Sequence, residues 1–319
     1  MNNIVHLPRQ DIHKVLQSTF DWVLFSISYE PRTTAVWFEL KNTQTQFLAF
    51  HNSDHEYLLP HLNFVKENLP GCKIEELKSN SPLQRFDRIV RAIGALNAEK
   101  PARIGLDITC FTRETLAIII LVLKHVLPAG SIIKCLYTAA GAYPTQTETT
   151  EARNWLSKGV ADVRSILGYK GNIKLISKTH LIILPGFEIE RANSIIESIE
   201  PDKLTIGTAE AKESILPQFS EIVDAIKYRI QSHYPDHNIH GMRFSSINPY
   251  TTCQNLLAIT QPDENTVVAC LNNKIAMTGA CMAALKSTDI QLIYAQPMRY
   301  NTLSSPSIGS ELIVFDLIF

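Results

Sequence analysis

The chain has 319 residues, 45% of them hydrophobic and 19% charged, with thirty basic against thirty-one acidic residues and a formal net charge of −1. That length exceeds what one core usually serves, so two domains are expected. The composition excludes a disordered chain, and the balanced charge gives no indication of nucleic acid as a partner.

The opening residues Met1 to Leu16 lack a charged stretch followed by an apolar one, so no secretory signal is expected. The longest apolar run, Leu116 to Leu123, is far shorter than the roughly twenty residues a membrane span needs. A cytoplasmic location with no membrane partner follows as an expectation. The six cysteines, Cys72, Cys110, Cys135, Cys253, Cys270 and Cys281, are scattered without a CxxC pair, which favours buried reduced thiols.

Taken in chain order, β-branched runs alternate with stretches of helical period, the pattern of βαβ units and mostly parallel sheets. The first half predicts strands at Trp22–Ser28, Gln46–His51, Cys72–Leu77, Arg103–Thr109 and Ile132–Thr138. Helices are predicted between them at Arg32–Lys41, His55–Asn68, Leu83–Ala98 and Thr112–Val126, the last stopped by the turn Pro128-Ala129-Gly130. The next stretch is polar, then helical over Ala152–Leu167, and ends in Gly168-Tyr169-Lys170-Gly171. It reads as a connector. The expected organisation is a Rossmann-like domain over 1–144, a helical connector over 145–175 and a second Rossmann-like domain over 176–319. Strands of the second half are predicted at His180–Leu184, Lys203–Gly207, Met242–Ser246, Thr266–Leu271, Ile290–Ala295 and Glu311–Leu317. Its helices are predicted at Ile189–Ile199, Lys212–Gln231, Thr251–Ile259 and Lys274–Leu285.

Three features recur in both halves. The opening strands run into Tyr29-Glu30-Pro31-Arg32 and into Phe187-Glu188-Ile189-Glu190-Arg191. A later strand ends in polar residues, at Asp107-Ile108-Thr109 and at Asn272-Asn273-Lys274. A further strand carries tyrosines six apart, Tyr137 with Tyr143 and Tyr294 with Tyr300. The fold class expected is therefore α/β, two tandem Rossmann-like halves with mostly parallel sheets and an internal duplication.

Open α/β sheets bind ligands outside the carboxyl ends of their strands, where helix N-termini point. All the recurring loops lie there. In the first loop Arg32 suits a phosphate or carboxylate, Glu30 suits ribose hydroxyls, and Ser28, Tyr29, Thr33 and Thr34 complete the candidate ligand set. The alternative is that Glu30 and Arg32 pair with each other or cap the helix. Glu188 and Arg191 are the second-half candidates, and the one-residue slip of Arg191 favours the first loop. Asp107 suits a general base or a capping role. Lys274, Arg299 and Tyr300 are further ligand candidates. If the protein is an enzyme, Glu30, Asp107 and Glu188 are its candidate catalytic groups. No GxGxxG, P-loop or GxSxG is present, the loose set His233, His237 and His240 is read as a polar loop, no metal is expected, and the cofactor is left unknown.

The strand-to-helix loop Ser26-Ile27-Ser28-Tyr29-Glu30-Pro31-Arg32 and the closing Tyr294-Ala295-Gln296-Pro297 resemble Rossmann-like nucleotide-sensing domains of the CARF type from prokaryotic defence systems. That resemblance implies a dimer binding a cyclic oligonucleotide and switching an effector. The function expected first is a non-enzymatic binding or regulatory protein, one that recognises a nucleotide-like small molecule and signals to a protein partner or a second copy. The alternatives are a nucleotide or nucleoside hydrolase or transferase using Glu30 or Glu188, and a scaffold subunit of a larger complex.

Overall fold

The computed structural model describes residues 4–15, 20–53, 56–78, 80–96, 100–142, 157–215, 220–235, 238–302 and 305–319. The chain divides into two compact units, unit 1 formed by Met1–Asn154 with Thr302–Ile318 and unit 2 by Trp155–Asn301.

Unit 1 holds, in chain order, β1 (Ile4–Pro8), α1 (Ile12–Val15), β2 (Trp22–Ile27), α2 (Trp37–Leu40), β3 (Gln46–Asn52), α3 (Leu59–Asn68), β4 (Lys73–Leu77), α4 (Pro82–Gly94), β5 (Arg103–Asp107), α5 (Arg113–Val126) and β6 (Ile132–Ala140). Unit 2 holds β7 (Ser157–Lys170), β8 (Thr179–Leu184), α6 (Ile189–Ile199), β9 (Lys203–Thr208), α7 (Ser220–His233), β10 (Ile239–Arg243), α8 (Pro249–Ile259), β11 (Asn265–Cys270), α9 (Lys274–Lys286) and β12 (Ile290–Tyr300). The chain then returns to unit 1 as β13 (Ile308–Asp316).

The unit 1 sheet runs β1-β13-β6-β5-β2-β3-β4 and the unit 2 sheet β10-β9-β8-β11-β12-β7. Reading each from its outermost parallel strand, β4-β3-β2-β5-β6-β13 matches β10-β9-β8-β11-β12-β7 position for position. Both are Rossmann-like α/β sheets, parallel except where β13 lies antiparallel on β6 and β7 antiparallel on β12. Unit 1 alone adds a seventh strand, β1, antiparallel on β13 with Ile4 opposite Phe315.

The central strands are apolar on both faces, as parallel strands covered by helices must be: Val23, Leu24 and Phe25 of β2 and Leu181, Ile182 and Ile183 of β8 are fully buried. α5 starts because Thr112 accepts a hydrogen bond from the Thr115 amide at 3.2 Å, and its run from Leu116 to Ile120 is wholly buried. It stops before Gly130, whose φ of +87° suits the turn that a residue with a Cβ would strain. The unit 1 core gathers Phe25, Trp37, Phe47 and Val65 with Leu312 and Val314 from β13, each such side chain contributing about 1.5–3 kcal/mol on burial.

Three expectations change. The stretch expected as a helix over Ala152–Leu167 is strand from Ser157 onward. Val160, Val163, Ile166 and Tyr169 recur every third residue and imitate a helical stripe. The spacing arises because β7 pairs irregularly with β12, with register shifts near both ends, and carries glycines at positive φ, Gly159 and Gly168. The final strand, expected in the second half, completes the unit 1 sheet instead. The expected helix over Arg32–Lys41 is a 3-10 turn at Pro31–Thr34 followed by the short α2.

Candidate functional site

In a doubly wound sheet the crevice forms where strand order reverses, here between β2 and β5 in unit 1 and between β8 and β11 in unit 2. The two places differ. β2 and β5 pair only as far as Leu24 opposite Leu106, although β2 continues to Ile27. Beyond that point β5 follows β6, pairing Asp107 with Leu136, and the Ile108 amide donates to the Leu136 carbonyl at 2.9 Å. β8 and β11 stay paired to Leu184 opposite Cys270, and the Leu271 amide adds a bond to the Leu184 carbonyl at 2.8 Å.

Asp107 ends β5 at the parting. Its Oδ1 accepts from the Thr109 amide at 3.0 Å and from the Thr109 hydroxyl at 2.5 Å. Oδ2 has no hydrogen bond among the described residues. Burial pushes the Asp107 carboxyl up to about 6, against the lowering effect of the Thr109 bonds and the Arg32 charge. The Thr109 hydroxyl in turn accepts from the Thr138 amide at 3.0 Å, and the Thr138 hydroxyl is buried without a partner.

The loop after β2 is held from within. Thr33 donates to the Ser26 carbonyl at 2.5 Å and accepts from the Ser28 amide at 3.1 Å, while Thr34 donates to the Pro31 carbonyl. Ser28 accepts a long bond from the Glu30 amide, and its carbonyl lies 2.6 Å from Nδ1 of His61. Tyr29 meets the Tyr57 ring edge-on. Arg32 is buried, paired with Glu30 through Nε at 3.0 Å and through a second, shorter bond, and its third nitrogen donates to the Thr138 carbonyl at 3.1 Å. Its guanidinium lies over the Tyr137 ring. The pairing alternative therefore describes Glu30 and Arg32: together they staple the β2 loop to β6.

Unit 2 repeats that staple. Arg191 pairs with Glu188 at 3.2 Å, donates to the Ala295 carbonyl at 2.5 Å and lies over the Tyr294 ring. Ala295 follows Tyr294 as Thr138 follows Tyr137, so the one-residue slip of Arg191 leaves its work unchanged. Glu188 also accepts from the Ser157 hydroxyl at 2.5 Å. At the crevice itself Asn272 donates to the Pro185 carbonyl at 2.7 Å, and a Cβ on Gly186 would collide with the Leu271 carbonyl. The crevice of unit 2 is zipped shut by backbone.

Lys274 opens α9 beside Asn273, which caps that helix. Arg299 and Tyr300 lie on β12 itself, which runs on to Tyr300, and Arg299 is exposed opposite Lys158 while Tyr300 reaches Tyr294 through the hydroxyls at 3.4 Å. Tyr300 thus lies beside the unit 2 staple, opposite Ser157, whose hydroxyl donates to Glu188. Tyr143 and His237 lie outside the described residues. Sequence reasoning missed the Thr109–Thr138 bridge and a buried ion pair of Arg85 on α4 with Glu114 in the first turn of α5. The apolar-run signal around Glu114 hid the pair, since only a charge inside so greasy a helix start marks it.

No protein-family model matches the chain, and no curated protein matches it. Among solved structures it is similar to a fibrillarin from Aeropyrum pernix in complex with S-adenosyl-L-methionine, at 10% identity and a TM-score of 0.25 over 38% of this chain and 46% of that one. An O-methyltransferase family 2 protein from Planctomyces limnophilus in complex with apigenin follows at 15% identity and 0.22, covering 43% and 37%. The CurJ carbon methyltransferase is similar at 12% identity and 0.24, covering 41% and 35%. Each match spans less than half of the other chain and concerns the α/β architecture alone. The first expectation, a non-enzymatic regulatory protein, is corrected to this extent: the comparisons run against it, since the solved structures they find are named as methyltransferases. The specific likeness to defence sensors gains no support from these comparisons, and the Rossmann-like architecture is what stands. Among the described residues no helix is long and apolar enough to cross a membrane.

Proposed function

We propose that the protein is an enzyme acting on a nucleoside-bearing small molecule held in the unit 1 crevice, with Asp107 moving a proton to or from the reacting group. The observation that carries this reading is the parting of β2 and β5 after Leu24 and Leu106, directly beside Asp107. A buried carboxyl near 6 exchanges a proton close to working pH, which is what acid–base catalysis asks of it. Glu30 and Glu188 are engaged with Arg32 and Arg191, so the catalytic role passes from them to Asp107. Arg32 and Arg85 are each paired with a carboxylate, which favours the nucleoside part of a ligand over a phosphate group as the portion recognised. The two units are read as copies of one ancestral unit, supported by their common strand order and by the twin staples.

The test is thermal stabilisation by adenosine, AMP, ATP and S-adenosyl-L-methionine, followed by turnover of whichever compound stabilises. At least one should raise Tm, and conversion should rise with pH through about 6 if Asp107 acts as the base. Full turnover by Asp107→Asn, or no stabilisation by any of the four, would end this reading.

A further inference from the structure

The two units supply an internal control for the polar groups around Asp107. In the parallel ladders β5–β6 and β11–β12, Asp107 lies opposite Leu136 and Ala269 opposite Ile293. Leu136 and Ile293 each precede the tyrosine of a staple, Tyr137 or Tyr294. Ala269 is therefore the counterpart of Asp107, and by the same register Leu271 stands for Thr109 and Ala295 for Thr138. In unit 2 all three positions belong, with Ile293, to one apolar core cluster. The fold itself does not require a polar side chain at any of them.

In unit 1 the same positions hold three polar side chains, all buried. Thr109 is engaged on both sides: its hydroxyl donates to Asp107 Oδ1 at 2.5 Å and accepts from the Thr138 amide at 3.0 Å. Two groups are left over. Asp107 Oδ2 and the Thr138 hydroxyl have no hydrogen bond among the described residues. Buried polar groups are nearly always paired, so two orphans on one short stretch of sheet, absent from the sister unit, point to a ligand.

The two orphans face the same way. Residues opposite each other in a ladder share a face of the sheet, as do residues two apart on one strand, so Asp107, Leu136 and Thr138 project from one side. One step across to the neighbouring strand and two residues along it put the Cα atoms of Asp107 and Thr138 about 8 Å apart. A single bridging water joins groups about 5.5 Å apart, two hydrogen-bond lengths, whereas two hydroxyls on neighbouring carbons add a third length and reach about 8 Å. The chemistry agrees, since Oδ2 accepts from one hydroxyl and Thr138 donates to or accepts from the other.

Resting on the nucleoside reading above, we infer that Asp107 Oδ2 and Thr138 Oγ1 together hold the two ribose hydroxyls of the ligand, which makes Thr138 the residue that selects ribonucleosides over deoxyribonucleosides. The way in is the parting of β2 from β5 beyond Leu24 and Leu106, on the side of Asp107 away from the continuous β5–β6 ladder. The hydroxyl on Oδ2 is then the group whose proton passes between its own oxygen and Asp107.

Thermal shift and calorimetric titration with adenosine, AMP, ATP and S-adenosyl-L-methionine, each against its 2′-deoxy and 3′-deoxy forms, test it. Loss of either hydroxyl should weaken binding about ten-fold, since each loss leaves a buried protein group without its partner. Thr138→Val should bind the ribose form about ten-fold more weakly, become indifferent to the hydroxyl that Thr138 holds and keep the penalty for the other. Thr138→Ser should restore the parent pattern. Without ligand, Thr138→Val should melt no lower than the parent, because the hydroxyl it removes has no partner in the fold. An unaltered hydroxyl preference in Thr138→Val overturns the inference, and together with a lowered Tm it assigns the hydroxyl to structure. Binding of a ribose compound that survives removal of either hydroxyl also overturns it and leaves the nucleoside reading standing. No stabilisation by any of the four compounds ends both.

Discussion

In unit 2 the strands β8 and β11 stay hydrogen-bonded to their last residues, whereas in unit 1 β2 runs on past Leu24 with β5 already turned toward β6. The loops that follow differ in the same sense: Ile108, Thr109, Cys110 and Phe111 separate β5 from the cap of α5, but only Leu271 and Asn272 separate β11 from the cap of α9. The Arg–Glu–Tyr staples, by contrast, are the same in both units. What separates a candidate site from a closed edge is therefore backbone pairing at the reversal point. The charged residues of the opening loops are common to both.

That comparison breaks most visibly at Asp107. Asp107→Asn should cost turnover about a hundred-fold or more, measured as kcat on the compound identified by thermal shift. The same variant should be more stable at neutral pH by about 3 kcal/mol in urea unfolding, because Asn keeps an acceptor for Thr109 and has no charge to bury. The sign follows from a folded pKa of about 6 against 3.8: the folded protein retains a proton that the unfolded chain releases, so stability falls as pH rises between those values, and the gain from Asn should vanish below about 4. Equal stability of variant and parent across that range would show that Asp107 is not held in a costly environment.

The staples offer the next test. Arg32→Ala and Arg191→Ala should each destabilise by about 3 kcal/mol, because each strips a mostly buried carboxylate of its partner. A large effect in one unit and none in the other would separate roles that the geometry makes equal. Gly186→Ala should cost about 2 kcal/mol by forcing Pro185 and Leu271 apart, with Ser28, its counterpart before the aromatic-Glu pair, tolerating Ala at a fraction of that.

The smallest effect concerns acid. His180, buried against Thr205 at 2.7 Å and Glu264 at 3.0 Å, is pushed down to about 4 by burial first and the Lys203 charge next. Its folded value lies below the ordinary 6.5, so its contribution is complete above 6.5 and is lost as pH falls toward 4. Acid titration of His180→Gln should be flatter through that window than that of the parent.

Most of the sheet strands were legible because parallel strands buried on both faces read as short apolar runs, as in Leu181–Leu184. β1 escaped because Ile4–Pro8 alternates too briefly to declare itself, and its reason for being a strand, the edge of β13, lies three hundred residues away. β7 escaped because its bulges reset the alternation. At the site, residue types pointed correctly to Glu30 and Arg32 as neighbours, but whether they face a ligand or each other depends on Thr138 and Tyr137, which no local pattern brings to them. The parting of β2 from β5 is a register property and leaves no mark in either strand's own sequence.

The placement of β13 has a consequence for synthesis on the ribosome. Unit 2 is an uninterrupted segment and can close its sheet as soon as β12 emerges, but unit 1 has to wait for Leu312, Ile313, Val314 and Phe315, which are translated after the whole of unit 2. Until then β6 presents an open edge and the unit 1 core lacks part of its filling. A ribosome stalled after β12 should therefore carry one protease-resistant unit and one susceptible one, although the susceptible unit was made first.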